Sequence, residues 1–232
     1  MSIGFIPKLL VFDLDGTLID SRKDLTNSVN AMLAHYGKAE LSDGTVTSYI
    51  GDGAGVLVRR ALAHAHIIAD EPDPHDDAFV AEALDWFIDY YKIHKVDYTT
   101  VYPGVMESLE TIRRGHPALP MAVLTNKPVY PSREICRVLG LSRFFFANYG
   151  GNSFATKKPD PEGLLTLIAE AGATPPKTVM VGDSHVDVET ARACGAVSLG
   201  CTFGLSPETL KAARPDFSVD HASDWPRVLG LG

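Results

Sequence analysis

Two aspartates, two residues apart, close a short apolar run in Leu9-Leu-Val-Phe-Asp13-Leu-Asp15-Gly-Thr17. A run of this length and β-rich make-up reads as a buried strand, and its period of two puts Asp13 and Asp15 side by side on one face. Adjacent carboxylates repel each other and are costly to desolvate, so a cation or a shared chemical task must hold them there. A second acidic pair lies far along the chain. Thr178-Val-Met-Val-Gly182-Asp183-Ser184 again reads as a strand ending in Asp, and Asp187 follows where the chain enters a helix. Between the pairs, Met121-Ala-Val-Leu-Thr125-Asn126 is a strand ending in a hydroxyl. Lys157-Lys158-Pro159-Asp160-Pro161 supplies a cation just before a helix start, where Pro161 is tolerated in the first turn. An all-oxygen cluster of this kind suits Mg2+, which keeps several waters and shares its remaining positions between a few carboxylates and substrate phosphate. Asp13 and Asp183 are the side chains expected to hold it.

These groups meet only if the elements carry them to one place. From Tyr102-Pro103-Gly104 onward, strands around 121–125, 145–149, 178–182 and 197–200 alternate with helices, which predicts α/β architecture with a doubly wound parallel sheet. Ligands of such sheets bind beyond the carboxyl ends of the strands. Asp13, Thr125 and Asp183 all fall at such ends, with Lys158 soon after another. Between Asp20 and about Tyr98 the character is helical only. Leu25, Val29, Met32, Leu33 and Tyr36 form one apolar stripe with Ser21 and Asp24 as a capping pair, Leu57, Ala61 and His64 mark a second helix, and Phe79 to Tyr91 a third. The first strand must therefore join its sheet from across an inserted helical domain, giving a discontinuous core of residues 1–20 and 98–232 around an insert of 21–97.

Together, Asp13-Leu-Asp15-Gly-Thr17, Thr125-Asn126, Lys158-Pro159 and Gly182-Asp183-Ser184-x-x-Asp187 resemble the four ordered motifs of the haloacid dehalogenase superfamily. Gly51-Asp52-Gly53-Ala54-Gly55 and Thr125-Asn126-Lys127-Pro128 are most similar to its bacterial phosphoglycolate phosphatases, although Gly150-Gly151-Asn152 stands where that branch carries Gly-Gly-Asp. The resemblance implies a Rossmann-like core with a small all-helical cap, and hydrolysis of a phosphate monoester, 2-phosphoglycolate first, through an aspartyl phosphate. It implies Asp13 as nucleophile and Asp15 as general acid and base. Thr125, Asn126 and Lys158 hold the transferring oxygens, the Asp15 carbonyl completes the metal shell, and Asp187 orients a metal-bound water. The cap turn Gly51-Asp52-Gly53 is the part expected to approach the substrate. A small sugar-phosphate phosphatase or a β-phosphoglucomutase would share every core residue. A non-catalytic sensor of phosphorylated metabolites could dispense with Asp15.

Composition narrows the partners. A formal charge of −8 argues against nucleic acid or an anionic membrane, both of which need a basic footprint. No segment approaches the roughly 18 apolar residues of a membrane span, and the amino terminus carries no secretion pattern. The expectation is a cytoplasmic monomer or homodimer acting on a small phosphorylated metabolite. Cys136, Cys194 and Cys201 lack metal-type spacing and read as reduced core thiols. The acidic tract Asp70–Asp77 reads as a solvated loop, and His64 and His66, two apart on a helix, point away from each other.

Overall fold

In the computed structural model, which describes residues 2–69 and 77–232, the longest apolar runs of the chain become the centre of one parallel sheet. After β1 (Leu9–Phe12) come β2 (Ile19–Asp20), helices α1 (Arg22–His35), α2 (Asp43–Thr47), α3 (Ala54–Ala69) and α4 (Asp77–His94), then β3 (Thr100–Val101) and α5 (Val105–Gly115). Strands and helices alternate from there: β4 (Met121–Leu124), α6 (Val129–Val138), β5 (Ala147–Tyr149), α7 (Glu162–Glu170), β6 (Thr178–Gly182), α8 (His185–Cys194) and β7 (Val197–Cys201). The chain closes with α9 (Pro207–Ala213), β8 (Phe217–Val219) and α10 (Trp225–Val228).

Six strands pair in the order β5-β4-β1-β6-β7-β8, every neighbour parallel. Every residue of β1, β4 and β6 is buried, because helices cover both faces; that is why these strands read as unbroken apolar runs. Leu9, Val11, Ala122, Leu124 and Met180 of the sheet pack with Leu164, Leu167 and Ile168 of α7 and Ala191 of α8. At roughly 1.5–3 kcal/mol for each large aliphatic side chain, this burial is the main force holding the strand ends in place. The chain leaves β1 for β4 and β5 on one side and returns to β6 on the other. The crevice beyond the carboxyl ends of β4, β1 and β6 is thus the topological switch point of the sheet.

Two compact units divide the chain: Met1–Asp20 with Val101–Gly232, and Ser21–Thr100. The first carries the six-stranded sheet, while β2 and β3 pair as a separate ribbon. In the second, α1 packs on α2, α3 and α4 around Val29, Met32, Leu33, Val58, Leu62, Ala83 and Phe87. The capping role expected of Ser21 and Asp24 is corrected. The Ser21 hydroxyl makes no cap bond to α1, and the buried Asp24 carboxylate accepts instead from the Tyr98 and Thr99 N–H groups and the Thr99 hydroxyl, at 2.6 to 3.1 Å. Of the α4 aromatics, Phe87 and Tyr91 are core. Trp86 and Tyr90 are only partly buried and continue a stacked ladder from His35 to His94. The His64 Nδ1 pairs with the Tyr49 hydroxyl at 2.6 Å. The acidic tract Asp70–Asp77 lies, but for Asp77, outside the described residues. All three thiols are free, Cys136 and Cys201 buried and Cys194 partly so. No helix among the described residues is long and apolar enough to cross a membrane.

Candidate active site

The strand β1 stops at Phe12, one residue before Asp13, so the expectation of two aspartates along one strand face is corrected. The Asp13 N–H still pairs with the Val181 carbonyl of β6 at 2.8 Å, which holds this residue at the lip of the sheet. Asp15 lies in the following turn, where Gly16 takes a φ of 91° and donates to the Ile19 carbonyl. Glycine is required there for the backbone, and a Cβ at Gly16 would also overlap the Asp183 carboxylate. Gly182 and Gly204 are filled in the same way, by Asp187 and by Asp183. The carboxylates therefore rest in a cradle floored by backbone.

Asp13, Asp183 and Asp187 converge, each offering one oxygen, with those atoms all within 4.8 Å of one another. Lys158 sits between two of them, its Nζ donating to Asp13 Oδ1 at 2.7 Å and to Asp187 Oδ1 at 2.6 Å. The lysine is placed by its own backbone: the Asn126 side-chain amide donates to the Lys158 carbonyl at 3.0 Å. Its neighbour Lys157 is exposed. The remaining oxygen of Asp187 accepts from the Ser184 N–H and hydroxyl, closing a capping box on α8, and Asp183 accepts from the Leu205 N–H at 2.6 Å.

Burial pushes the Asp13 carboxyl up to about 7; Lys158 pulls it back, and Asp187 and Asp15 push it further. Burial, followed by repulsion from Asp13 and Asp187, raises Asp183 well above the carboxylate range despite its bond from Leu205. For Lys158, burial opposes the charge, but Asp13 and Asp187 outweigh it and hold the ammonium above the ordinary lysine value. Three buried carboxylates around a single ammonium leave an excess of negative charge in low dielectric. Such an all-oxygen donor set fits a hard divalent cation, which would relieve that repulsion.

Thr125 follows β4, buried at the same end of the sheet, and its Oγ1 accepts from the Lys127 N–H. The Asp15 carboxylate is gripped from the side of the loop after β4. Both its oxygens accept from Lys127 Nζ, at 2.9 and 3.0 Å. Lys127 is 6% exposed, and its partner was invisible to spacing, since 112 positions separate the two. The Leu205 amide and Gly204 were equally hidden, in a loop without motif. Gly51, Asp52 and Gly53 belong to the other unit, where Asp52 pairs with Arg60 at 2.7 Å and the turn leads directly into α3. Asn152, the departure from Gly-Gly-Asp, accepts through Oδ1 from the Val129 N–H at 2.8 Å and so caps the first turn of α6.

Residues 10–201 match the family model of the haloacid dehalogenase-like hydrolases. The chain is 39% identical over 218 residues to the phosphoglycolate phosphatase of Pseudomonas putida, covering 94% of this chain and 78% of that one. It is 37% identical to the phosphoglycolate phosphatase of Chromobacterium violaceum, with 97% of both chains aligned. The crystal structure of a predicted phosphoglycolate phosphatase from Haemophilus somnus superposes with a TM-score of 0.89 at 31% identity, over 95% of this chain and 97% of the other.

Proposed function

The chain belongs to the haloacid dehalogenase-like hydrolase family, and we propose that it is a Mg2+-dependent phosphatase that hydrolyses 2-phosphoglycolate through an aspartyl phosphate on Asp13. The observation that carries this reading is the sharing of Lys158 between Asp13 and Asp187. It fixes one oxygen of a buried carboxylate and leaves the other to act on a substrate arriving at the switch point of the sheet.

Mg2+, held by Asp13, Asp183 and the Asp15 carbonyl, supplies charge neutralisation for the incoming phosphate. The chain's own groups do the rest. In the first step an Asp13 oxygen attacks phosphorus, and the P–O ester bond breaks as Asp15 gives its proton to the departing alkoxide. In the second, Asp15 takes a proton from water as the water oxygen attacks phosphorus and the Asp13 carboxylate leaves. Lys158 and the Thr125 hydroxyl stabilise the transferring oxygens, and the Asn126 side chain steadies Lys158. Asp187, fixed by Ser184 and Lys158, supports the metal's water shell.

The names and identities of the relatives favour 2-phosphoglycolate. The test is kcat/KM across a panel of small phosphate monoesters that includes sugar phosphates, with and without chelator. We expect 2-phosphoglycolate to rank first and every activity to vanish with the metal. A sugar phosphate at the head of the ranking would move the assignment to that class, and no turnover of any ester with Mg2+ present would end the phosphatase reading.

A further inference from the structure

We infer that Lys127 is a positioning residue for proton transfer: it orients the Asp15 carboxylate toward the oxygen that leaves in the first step and the water that enters in the second. The inference rests on the roles of Asp13 and Asp15 proposed above and deepens them.

One ammonium reaches both Asp15 oxygens, at 2.9 and 3.0 Å, with the lysine and aspartate side chains only 4% and 11% exposed. A carboxylate held at both oxygens cannot turn about its Cβ–Cγ bond. A carboxyl held by one oxygen presents the other in a fixed direction. The same grip therefore serves whether Asp15 carries the transferred proton or awaits it. Whereas Lys158 donates to Asp13 and Asp187, Lys127 donates to Asp15.

Lys127 is itself held from behind. Its N–H donates to the Thr125 hydroxyl and its carbonyl accepts from Gly151 at 2.9 Å. A Cβ at Gly150 would overlap the Lys127 carbonyl and the Val129 N–H, and one at Gly151 the Asn126 carbonyl. The two glycines are thus the only fit for a turn that presses directly on the backbone of residues 126–129, and Asn152 pins that backbone at Val129. A rigid turn, a lysine and an aspartate form one line of support ending at the reacting oxygen. Displacements of an ångström in such supports cost rate without touching substrate.

The experiment compares Lys127→Met, close in length but without the ammonium, with wild type and Asp15→Asn in single-turnover and burst kinetics. An alkyl ester needs its leaving oxygen protonated; the aryl ester p-nitrophenyl phosphate leaves as a stabilised phenolate and needs little help. For Lys127→Met we expect phosphorylation by 2-phosphoglycolate to slow on the order of 10- to 100-fold, a positioning share of a general-acid effect. With p-nitrophenyl phosphate the burst should persist near one nitrophenolate per site and be followed by slow turnover. Lys127→Arg, which keeps two donors for the two oxygens, should restore part of the alkyl rate. Equal slowing of the first step with both esters, or no slowing with either, overturns the inference. Should Lys127→Met not fold, Lys127→Gln is put through the same comparison and judged on the same split. If Asp15→Asn itself shows no difference between the esters, the proposed role of Asp15 has failed. If Asp15→Asn shows it and the Lys127 variants do not, only the role of Lys127 has.

Discussion

Asp13 and Lys158 define what single residues contribute. Asp13→Asn removes the proposed nucleophile at almost constant volume, so turnover should fall by at least about 10²-fold, with the circular dichroism of the folded protein unchanged. A variant retaining near-wild-type kcat would displace Asp13 from its role. Lys158→Ala should raise the barrier by roughly 2–4 kcal/mol, the range found for lost oxyanion contacts, and should also leave Asp13 and Asp187 facing each other without a counter-charge. Its signature is thus a joint loss of kcat and of metal-free thermal stability, and a change confined to KM would make Lys158 a uniform-binding group. Asp13 and Asp183 were legible in the sequence because each follows directly on an apolar strand, and strand ends are where a parallel sheet gathers ligands. Lys127 stands in a motif of the resemblance, but its pairing with Asp15, 112 residues away, left no mark in the local spacing.

At the level of elements, long buried segments announced themselves and short ones did not. The strands β1, β4 and β6 stand out as apolar runs bounded by Asp, Thr or Gly. The five residues of α2, the three of β8, the seven of α9 and the four of α10 are too short to show a period. The Ser198 amide and hydroxyl bond to Asp216 just before β8. Asn152 illustrates the same point in reverse. Its departure from the family's Gly-Gly-Asp suggests a change of substrate, yet its observed bond is a helix cap that an aspartate could equally make. Asn152→Ala should therefore cost about 1 kcal/mol in urea unfolding, the usual value of such a cap, whereas Asn152→Asp should cost far less. If both lower stability equally, the cap does not account for the residue. Gly204→Ala should do greater damage, on the order of 1–3 kcal/mol, because the new methyl meets the Gly16 carbonyl and Asp183 where backbone must yield. Weakened Mg2+ binding by titration calorimetry would locate that damage at the carboxylate cradle, and wild-type affinity would refute it.

For the molecule as a whole, a charge of −8 and a cluster of buried carboxylates would make a poor host for an anionic substrate were it not for the cation that the cluster fits. The same imbalance sets a measurable coupling between pH, metal and stability. The folded Asp13 carboxyl titrates near 7, above its ordinary 3.8, and Asp183 is shifted in the same direction. At these two carboxyls the metal-free folded protein therefore binds more protons than the unfolded chain between about pH 4 and 7. By linkage, these groups contribute a stability that is present below pH 4 and is lost as pH rises through that window. Mg2+ competes with those protons, so its affinity should rise across the same window, and its stabilisation, set by concentration relative to Kd, should rise with it. Thermal unfolding at fixed free Mg2+ should accordingly show a larger gain in Tm at pH 8 than at pH 5, with the metal-free curve the lower of the two at both. Asp183→Asn, which removes one raised carboxylate and one proposed ligand, should shrink the pH 8 gain far more than the pH 5 gain. Equal gains at both pH values in the wild-type protein would mean that the ion stabilises the fold from somewhere other than this crevice, and the site would then have to accommodate its buried charge by protonation alone.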